Sequence, residues 1–195
     1  MPFINSRLRE LSIHLNYSGI KIILKTLIKK KLIFERSKLT KDQVLENENR
    51  VLIHDYICDH PGVYFNQIAK ELGLSNYLLG WHIKMLLKFG FIRTKQIDNH
   101  EVFFNINLEE KNDEFYYCTS KEKSQGIINY MLDNVEGITK THLSKELSMH
   151  LTTLSKYLKK LCKLNLIFRK KVKNRTIYFL NDEFYHEMFN KKKKS

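Results

Sequence analysis

Proline and cysteine are scarce in this chain, which has two prolines and three cysteines among its 195 residues. So few prolines favour helices and short strands over long irregular loops. The cysteines, Cys58, Cys118 and Cys162, are far apart and form no C-x-x-C pair. This spacing argues against a disulfide framework and against a thiolate zinc site, and it predicts a reducing, cytoplasmic location.

The motifs of common catalytic classes are absent. The sequence contains no glycine-rich phosphate loop, no G-x-S-x-G and no H-E-x-x-H. His54, Cys58 and His60 lie close together in the chain, but no second cluster supplies the remaining ligands of a four-coordinate metal. We therefore expect no enzymatic activity, no cofactor and no metal site.

Long apolar runs are also lacking. The most apolar stretch, GIKIILKTLIKKKLIF from Gly19 to Phe34, is interrupted by lysines, whereas a membrane-spanning helix needs roughly 20 apolar residues. The N-terminus has no apolar core followed by a small-residue cleavage site, so it does not read as a secretion signal. Insertion into a membrane is not expected.

Positive charge is concentrated at the two ends of the chain. Residues 1–45 carry a net charge of +7 and residues 150–195 a net charge of +10, whereas residues 46–110 and 111–149 carry −3 and −1. The C-terminal region includes the lysine run Lys191–Lys194. Such clustering predicts a polyanionic partner, either nucleic acid or an anionic lipid surface.

Residues 1–45 are predicted to form a basic, amphipathic helical arm. Ile20, Ile23, Leu24, Leu27 and Ile28 recur at helical spacing, and lysines lie between them. We expect this apolar stripe to pack on the rest of the fold or on a second copy of the chain, which would make a homodimer through the arm. Contact of the stripe with a membrane surface is not expected.

One pattern occurs twice, 75 residues apart. ELGLSNYLLGWHIKMLLKFGFI runs from Glu71 to Ile92, and ELSMHLTTLSKYLKKLCKLNLI runs from Glu146 to Ile167. Each copy predicts a short helix, a tight turn and a long helix, with another helix before them and two strands joined by DNH or KNR after them. The predicted helix caps are Asn47, Ser75 and Thr139 at N-terminal ends and Gly90 and Asn165 at C-terminal ends.

Apolar spacing assigns the buried face of the helices in each copy. The opposite face of each long helix is then free to meet a partner. The residues expected to face the core are Val51, Leu52, Tyr56 and Ile57 in the helix that opens the first copy, Leu79, Ile83 and Leu86 in the first long helix, and Leu154, Leu158 and Leu161 in the second.

These elements predict an α+β fold, mainly α with small β-hairpins. It comprises two tandem winged helix-turn-helix domains and an N-terminal helical arm. In such a domain the third helix enters the major groove of DNA, about 12 Å wide, and the hairpin reaches neighbouring phosphates. The predicted segments are the arm at 1–45, the first domain at 46–108, a linker and the second domain at 109–181, and a basic C-terminal tail at 182–195.

The first copy contains HPGVYFNQIAKELGLS, from His60 to Ser75, and Trp81 and His82 follow in its long helix. With these motifs it resembles the archaeal winged-helix transcriptional regulators, which carry a similar HPG run and a W/Y-H recognition helix, often in two tandem units. The resemblance covers residues 36–105 well and 120–181 more loosely. It implies sequence-specific binding of double-stranded DNA, regulation of transcription and a nucleoid-associated, cytoplasmic location.

The predicted DNA contacts are the outward positions of the two long helices and polar or charged positions of the two hairpins. Threonine and serine bond base edges or phosphates, and lysine pairs with phosphate or guanine. In the first copy these residues are Asn76, Tyr77, Gly80, Trp81, Lys84, Lys95 and His100. In the second copy they are Thr152, Thr153, Ser155, Lys156, Lys159, Arg169, Lys170, Lys171, Lys173 and Arg175.

The two copies are not equivalent in charge. The second has the lysine-rich long helix and the five-charge hairpin, so it is expected to supply most of the electrostatic affinity, while the first reads bases or binds a protein. The alternative function is a tandem winged-helix adaptor, ESCRT-like or polymerase-associated, in which both copies bind proteins and no DNA sequence is read. The basic hairpin and tail favour DNA, because an adaptor needs no phosphate-directed charge.

Overall fold

The computed structural model describes residues 16–34 and 39–193, and at positions 189 and 191–193 it describes the backbone alone. The helices are α1 (Tyr17–Lys29), α2 (Lys41–Val44), α3 (Glu48–Asp59), α4 (Phe65–Leu72), α5 (Asn76–Phe89), α6 (Asp113–Thr119), α7 (Glu122–Asp133), α8 (Lys140–Glu146), α9 (Leu151–Lys163) and α10 (Asp182–Lys193). The strands are β1 (Val63–Tyr64), β2 (Ile92–Ile97), β3 (His100–Asn105), β4 (Ile138–Thr139), β5 (Ile167–Val172) and β6 (Arg175–Leu180). The fold is therefore α+β and mainly helical, as the sequence predicts.

Helices α3, α5 and α8 begin, and helices α5 and α9 end, at the predicted capping residues. The side-chain oxygens of Asn47, Ser75 and Thr139 accept hydrogen bonds from backbone N–H groups three residues further on, at 3.2, 3.3 and 3.4 Å. After the two long helices the chain reverses through left-handed residues, Gly90 at φ +69° and Asn165 at φ +58°. Glycine and asparagine tolerate this conformation best, so local chemistry sets the ends of both helices.

Two antiparallel three-stranded sheets follow the long helices, in the orders β1-β3-β2 and β4-β6-β5. The hairpin turns at Asp98–Asn99 and Lys173–Asn174 have φ values from +42° to +65°. Two consecutive left-handed residues are typical of type I′ turns, whose twist matches that of the flanking strands. The strands of the second sheet begin 75 residues after their counterparts in the first: Val63 and Ile138, Ile92 and Ile167, His100 and Arg175.

Helix α3 buries a different face from the one expected. Ile53 and Ile57 are fully buried, whereas Leu52 is 46% exposed. The prediction that Leu52 faces the core is therefore wrong, although Ile57 is confirmed. The buried stripe also includes Arg50 at 6% exposure, and a charged residue within the stripe conceals its apolar pattern. The inward leucines and isoleucine of α5 and the inward leucines of α9 are all buried, as predicted.

Strand β3 joins the two halves of the molecule because both of its faces are buried. Phe103 packs in the first hydrophobic core, with residues of α3 and α5. Val102 and Phe104, on the opposite face, pack in the second core, with residues of α6, α7 and α9. Alternate strand residues point to opposite faces, so one strand serves both cores. The second core therefore extends across the boundary predicted between residues 108 and 109.

The segment predicted to be a linker is helical and packs on the first hairpin. Helix α6 is buried along its length except at Glu114. Arg93 of β2 donates two hydrogen bonds to the Asp113 carboxylate, at 2.9 and 2.7 Å, and Asp113 is fully buried. A Cβ added to Gly62 would lie 2.5 Å from the Tyr117 backbone nitrogen, so the close approach of α6 requires glycine there.

The segment predicted to be a basic tail is also helical. Helix α10 buries Met188 at 3% exposure, and Phe184 and Tyr185 pack against the second core. The ring centroids of Phe184 and Phe115 lie 6.0 Å apart. The apolar residues of this segment stand among acids and lysines, so composition alone suggests a solvated tail. Residues 182–188 thus belong to the packed structure.

Helix α1 lies within the segment predicted to be the arm. Of its apolar stripe, Ile20 is buried, Leu24, Leu27 and Ile28 are half-buried, and Ile23 is 43% exposed, which leaves Ile23 open to the second expected partner, another copy of the chain. The arm reaches the first core through Phe34, whose ring meets Phe89 edge-on at 4.7 Å between centroids. Residues 1–15 of the predicted arm lie outside the described residues. No helix of the described part is long and apolar enough to cross a membrane.

The Arg93–Asp113 ion pair gives a stability prediction. Arg93→Met removes the bidentate partner of a buried carboxylate, and an uncompensated loss of this kind costs about 3–5 kcal/mol in the free energy of unfolding. Lys95 stays beside Asp113, so the loss should lie at the lower end of that range. The double change Arg93→Met with Asp113→Leu removes both charges and should recover most of that loss. Urea unfolding measures the free energy of unfolding of wild type, the single variant and the double variant. Arg169→Met, at an exposed arginine, is the matched control. Equal destabilisation in the single and double variants would contradict the ion-pair account.

His82 gives a prediction about pH. It is 2% exposed, and neither ring nitrogen has a hydrogen-bond partner among the described residues. Burial, together with the charge of Arg50, lowers the pKa of His82 below its usual 6.5. Below about pH 6.5 the unfolded chain binds a proton that the folded chain does not, so His82 makes stability fall as pH falls.

Urea unfolding at pH 7.5 and pH 5.0 tests this effect. Wild type should lose more stability than His82→Met between the two pH values, because only wild type carries the imidazole. Taking the difference between the two proteins removes the contribution of the other histidines. An identical loss in both proteins would show that His82 titrates normally.

Candidate nucleic-acid interface

Helix α9 exposes the face that the sequence assigns to DNA. Leu154, Leu158 and Leu161 are buried at 0–2% exposure. On the opposite side Thr152, Lys156 and Lys159 are exposed, while Thr153 and Ser155 are half-buried. The Ser155 hydroxyl donates to the Leu151 carbonyl at 2.7 Å, and Thr152 Oγ1 lies 2.9 Å from His150 Nδ1. The helix therefore presents a hydroxyl and two ammonium groups to solvent.

The second hairpin carries five exposed cations beside this helix. No carboxylate in the described part of the chain forms an ion pair with any of them. Lys170 Nζ lies 5.5 and 5.6 Å from the ring centroids of Phe168 and Phe179, and the two rings stack at 5.3 Å. These contacts hold one cation near the middle of β5. The five exposed cations are Arg169, Lys170, Lys171, Lys173 and Arg175.

A groove of about 810 Å³ joins helix α9 to the second hairpin. Its walls include Ser155 and Lys159 from the helix and Arg169 from β5, so the structure brings together three predicted residues that are distant in sequence. Leu158, Ile167 and Phe168 also line it. A groove with cations above apolar side chains suits the backbone of a nucleic acid.

Lys140 and Tyr178 also line this groove, although the sequence reasoning missed them. Lys140 is the first residue of α8, directly after the cap Thr139. Its position in the first turn of α8, the helix that precedes α9, could have identified Lys140 from the sequence. Tyr178 lies on β6 opposite Arg169. The register of the hairpin, once predicted, pairs these two residues across the strands.

The first long helix presents a different face. Tyr77 is 88% exposed and Trp81 is 48% exposed, and Asn76 and Lys84 are also exposed. Gly80 is half-buried, and a Cβ there would lie 3.9 Å from the Phe65 ring. Gly80 therefore faces helix α4 rather than an open groove. This surface of α5 is aromatic and carries one ammonium group, so it lacks the charge of its counterpart on α9.

Trp81 is held in place by two neighbours on the first copy. The Arg50 guanidinium lies 5.8 Å from the centre of the Trp81 ring, and the His82 ring meets it nearly at a right angle at 4.9 Å. A cation over the ring face is attracted to its negative side. Half of the ring nevertheless remains open to solvent.

The first hairpin is occupied by contacts within the protein. Lys95 Nζ lies 3.2 Å from the buried Asp113 carboxylate. The His100 ring stacks on Tyr64 at 5.0 Å between centroids. At the hairpin tip, Asp98 accepts hydrogen bonds from Lys160 of α9 and from Lys121. Lys95 and His100 thus contact other parts of the chain, although both side chains remain exposed.

His54 and Cys58 form a pair on helix α3. Cys58 Sγ lies 3.6 Å from His54 Nε2 and accepts a hydrogen bond from Asn105 at 3.1 Å. The bond to Cys58 raises the pKa of His54 to about 8, with a smaller contribution from Asp55. Among the described residues, no group of three or more His, Cys, Asp or Glu side chains is arranged to hold a metal ion.

The chain is similar in sequence to a protein of Methanocaldococcus jannaschii named as an uncharacterised HTH-type transcriptional regulator. The two are 28% identical over 144 residues. The match includes 74% of this chain and 36% of the relative, so the chain spans about a third of that protein's length. No protein-family profile matches the chain.

Two solved structures align with parts of the fold. One is the ST1889 protein of Sulfolobus tokodaii, at 24% identity and a TM-score of 0.35, covering 42% of this chain and 83% of that protein. The other is ScpB of Mycobacterium tuberculosis, at 11% identity and a TM-score of 0.29, covering 78% of this chain and 98% of that protein. TM-scores this low do not establish a common fold.

Proposed function

We propose that this chain is a double-stranded DNA-binding transcriptional regulator built from two winged helix-turn-helix units. The observation that carries the proposal is the groove in which Ser155 and Lys159 of α9 meet Arg169 of the second hairpin. The similarity to a protein named as a transcriptional regulator supports the same conclusion. The proposed activity is binding without catalysis, and its place is the cytoplasmic nucleoid.

In the proposed complex, helix α9 enters the major groove and the second hairpin follows the adjacent phosphates. Thr152 and Lys156 meet base edges, because they lie on the face opposite the buried leucines. The five cations of the hairpin meet phosphates, which sets the orientation and register of the protein on the duplex. Lys140 joins them from the first turn of α8.

The first unit plays a different part in this proposal. Asn76, Tyr77 and Trp81 of α5 remain available to bases or to a protein, since they are exposed. Lys95 and His100 are not included in the proposed interface, because their side chains contact Asp113 and Tyr64. The exposure of Ile22 and Ile23 on α1, at 65% and 43%, supports a homodimer through the arm.

Charge reversal on the second unit tests the interface. The triple variant Lys156→Glu, Lys159→Glu and Arg175→Glu should bind genomic DNA fragments about 100-fold more weakly or worse, because three cations that face the duplex become anions. A mobility-shift titration measures the change. The matched control reverses three exposed lysines away from the groove, Lys70, Lys111 and Lys123, and alters the net charge by the same amount.

The comparison between the two triple variants decides the result. The interface variant should lose affinity while the control retains most of it. Unaltered DNA affinity in the interface variant would contradict DNA binding through the second unit and favour the protein-binding adaptor. Equal losses in both variants would show that total charge, rather than this groove, determines binding.

The salt dependence of binding supplies a second prediction. If the second unit neutralises about six phosphates, the logarithm of the association constant should fall with the logarithm of salt concentration at a slope near −5. Released counterions cause this dependence. Fluorescence anisotropy of a labelled duplex between 50 and 300 mM KCl, about the usual working range, measures the slope. A slope near zero would rule out phosphate neutralisation by the hairpin.

A further inference from the structure

A second cleft lies beside helix α9, on a different flank from the groove lined by Ser155, Lys159 and Arg169. Its volume is about 370 Å³. It opens between the tip of the first hairpin, helix α6 and the lysine-rich side of α9. We call it the junction cleft and define it by Ile97, Tyr117, Lys121, Tyr157, Lys160 and Leu164. Small-molecule sites range from about 300 to 1,000 Å³, so a compact ligand fits this space.

Positive charge exceeds negative charge around the junction cleft. Lys121, Lys156, Lys160 and Lys163 line it, against the carboxylates Asp98 and Glu114. Lys121 and Lys160 share the single carboxylate of Asp98, whereas Lys163 lies 3.6 Å from Glu114. Lys156 has no carboxylate partner within the described ranges. The surplus of two cations favours an anionic group in the cleft.

The remaining walls are apolar and aromatic. Ile97, Tyr157 and Leu164 line the space, and so does Tyr117, which is 3% exposed. Lys121 Nζ lies 4.1 Å from the centre of the Tyr117 ring, so this aromatic wall stands directly beside one of the cations.

From this combination we propose that the junction cleft binds a small organic anion with a planar, apolar body and a carboxylate group. The carboxylate pairs with Lys121 and Lys160 in competition with Asp98. The apolar body lies against Tyr117, Tyr157 and Leu164. The cleft shares no lining residue with the groove beside the second hairpin, although Lys156 lines the cleft and also belongs to the proposed DNA face, so ligand binding is measured without DNA.

Benzoate and benzyl alcohol are the probes that test the site on the full chain. They share a phenyl ring and differ in charge. Ligand-observed NMR titrations should give a dissociation constant at least tenfold lower for benzoate, because a charge-assisted hydrogen bond to ammonium is worth more than one to a neutral alcohol. Absence of benzoate binding, or equal affinity for the two probes, would overturn the proposal.

Three variants locate the binding. Lys121→Gln with Lys160→Gln should weaken benzoate binding about tenfold and leave benzyl alcohol unchanged, since only the carboxylate needs the two ammonium groups. Lys111→Gln with Lys123→Gln removes the same charge elsewhere and should bind benzoate like wild type. Asp98→Asn removes the internal competitor and should strengthen benzoate binding. This gain would not follow from a loss of folding.

Each variant has a result that contradicts the proposal. Benzoate affinity that survives the Lys121→Gln, Lys160→Gln change would place the ligand elsewhere. An equal loss in the Lys111→Gln, Lys123→Gln control would mean a general charge effect. Weaker benzoate binding by Asp98→Asn would show that Asp98 belongs to the site instead of competing for it.

Discussion

Phe103 and Phe104 stand side by side on strand β3, yet they pack in different hydrophobic cores. The remainder of the arrangement depends on this double burial. It leaves the first sheet with helices on both faces, α3 and α5 on one and α6 on the other. The ion pair between Arg93 and Asp113 lies in the same junction and fixes the hairpin against α6. The first hairpin is therefore a structural part of the junction between the two copies.

The second hairpin has the same length and the same kind of turn, but within residues 16–34 and 39–193 no helix covers its outer face as α6 covers that of the first. Of the six residues in β6, Leu180 alone is buried, whereas four of the six in its counterpart β3 are buried. The charge of each strand follows its surroundings, since cations remain where solvent reaches them. One copy thus holds the molecule together, and the other leaves its charges exposed to solvent. The proposed function follows from this difference in the burial of the two hairpins, because their backbones are alike.

Local chemistry explains why so much of the architecture could be predicted. Caps such as Ser75 and turn residues such as Asn99 and Asn174 act within four residues, so the sequence reveals them directly. Packing between the copies could not be read in this way. Helix α6 has only seven residues, and nearly every side chain in it is buried. Its sequence therefore shows no periodic apolar face. Lys95 resembles a free hairpin cation until its partner Asp113, distant in sequence, is known to lie beside it.

Hydrogen–deuterium exchange of the two hairpins, with and without bound DNA, tests most directly whether the buried first hairpin is structural and the exposed second hairpin binds DNA. Without DNA, the amides of β3 should exchange slowly because both faces are buried, and those of β5 and β6 should exchange faster. Addition of DNA should slow exchange across residues 167–180 and leave residues 92–105 unchanged. New protection in the first hairpin, with none in the second, would contradict the account.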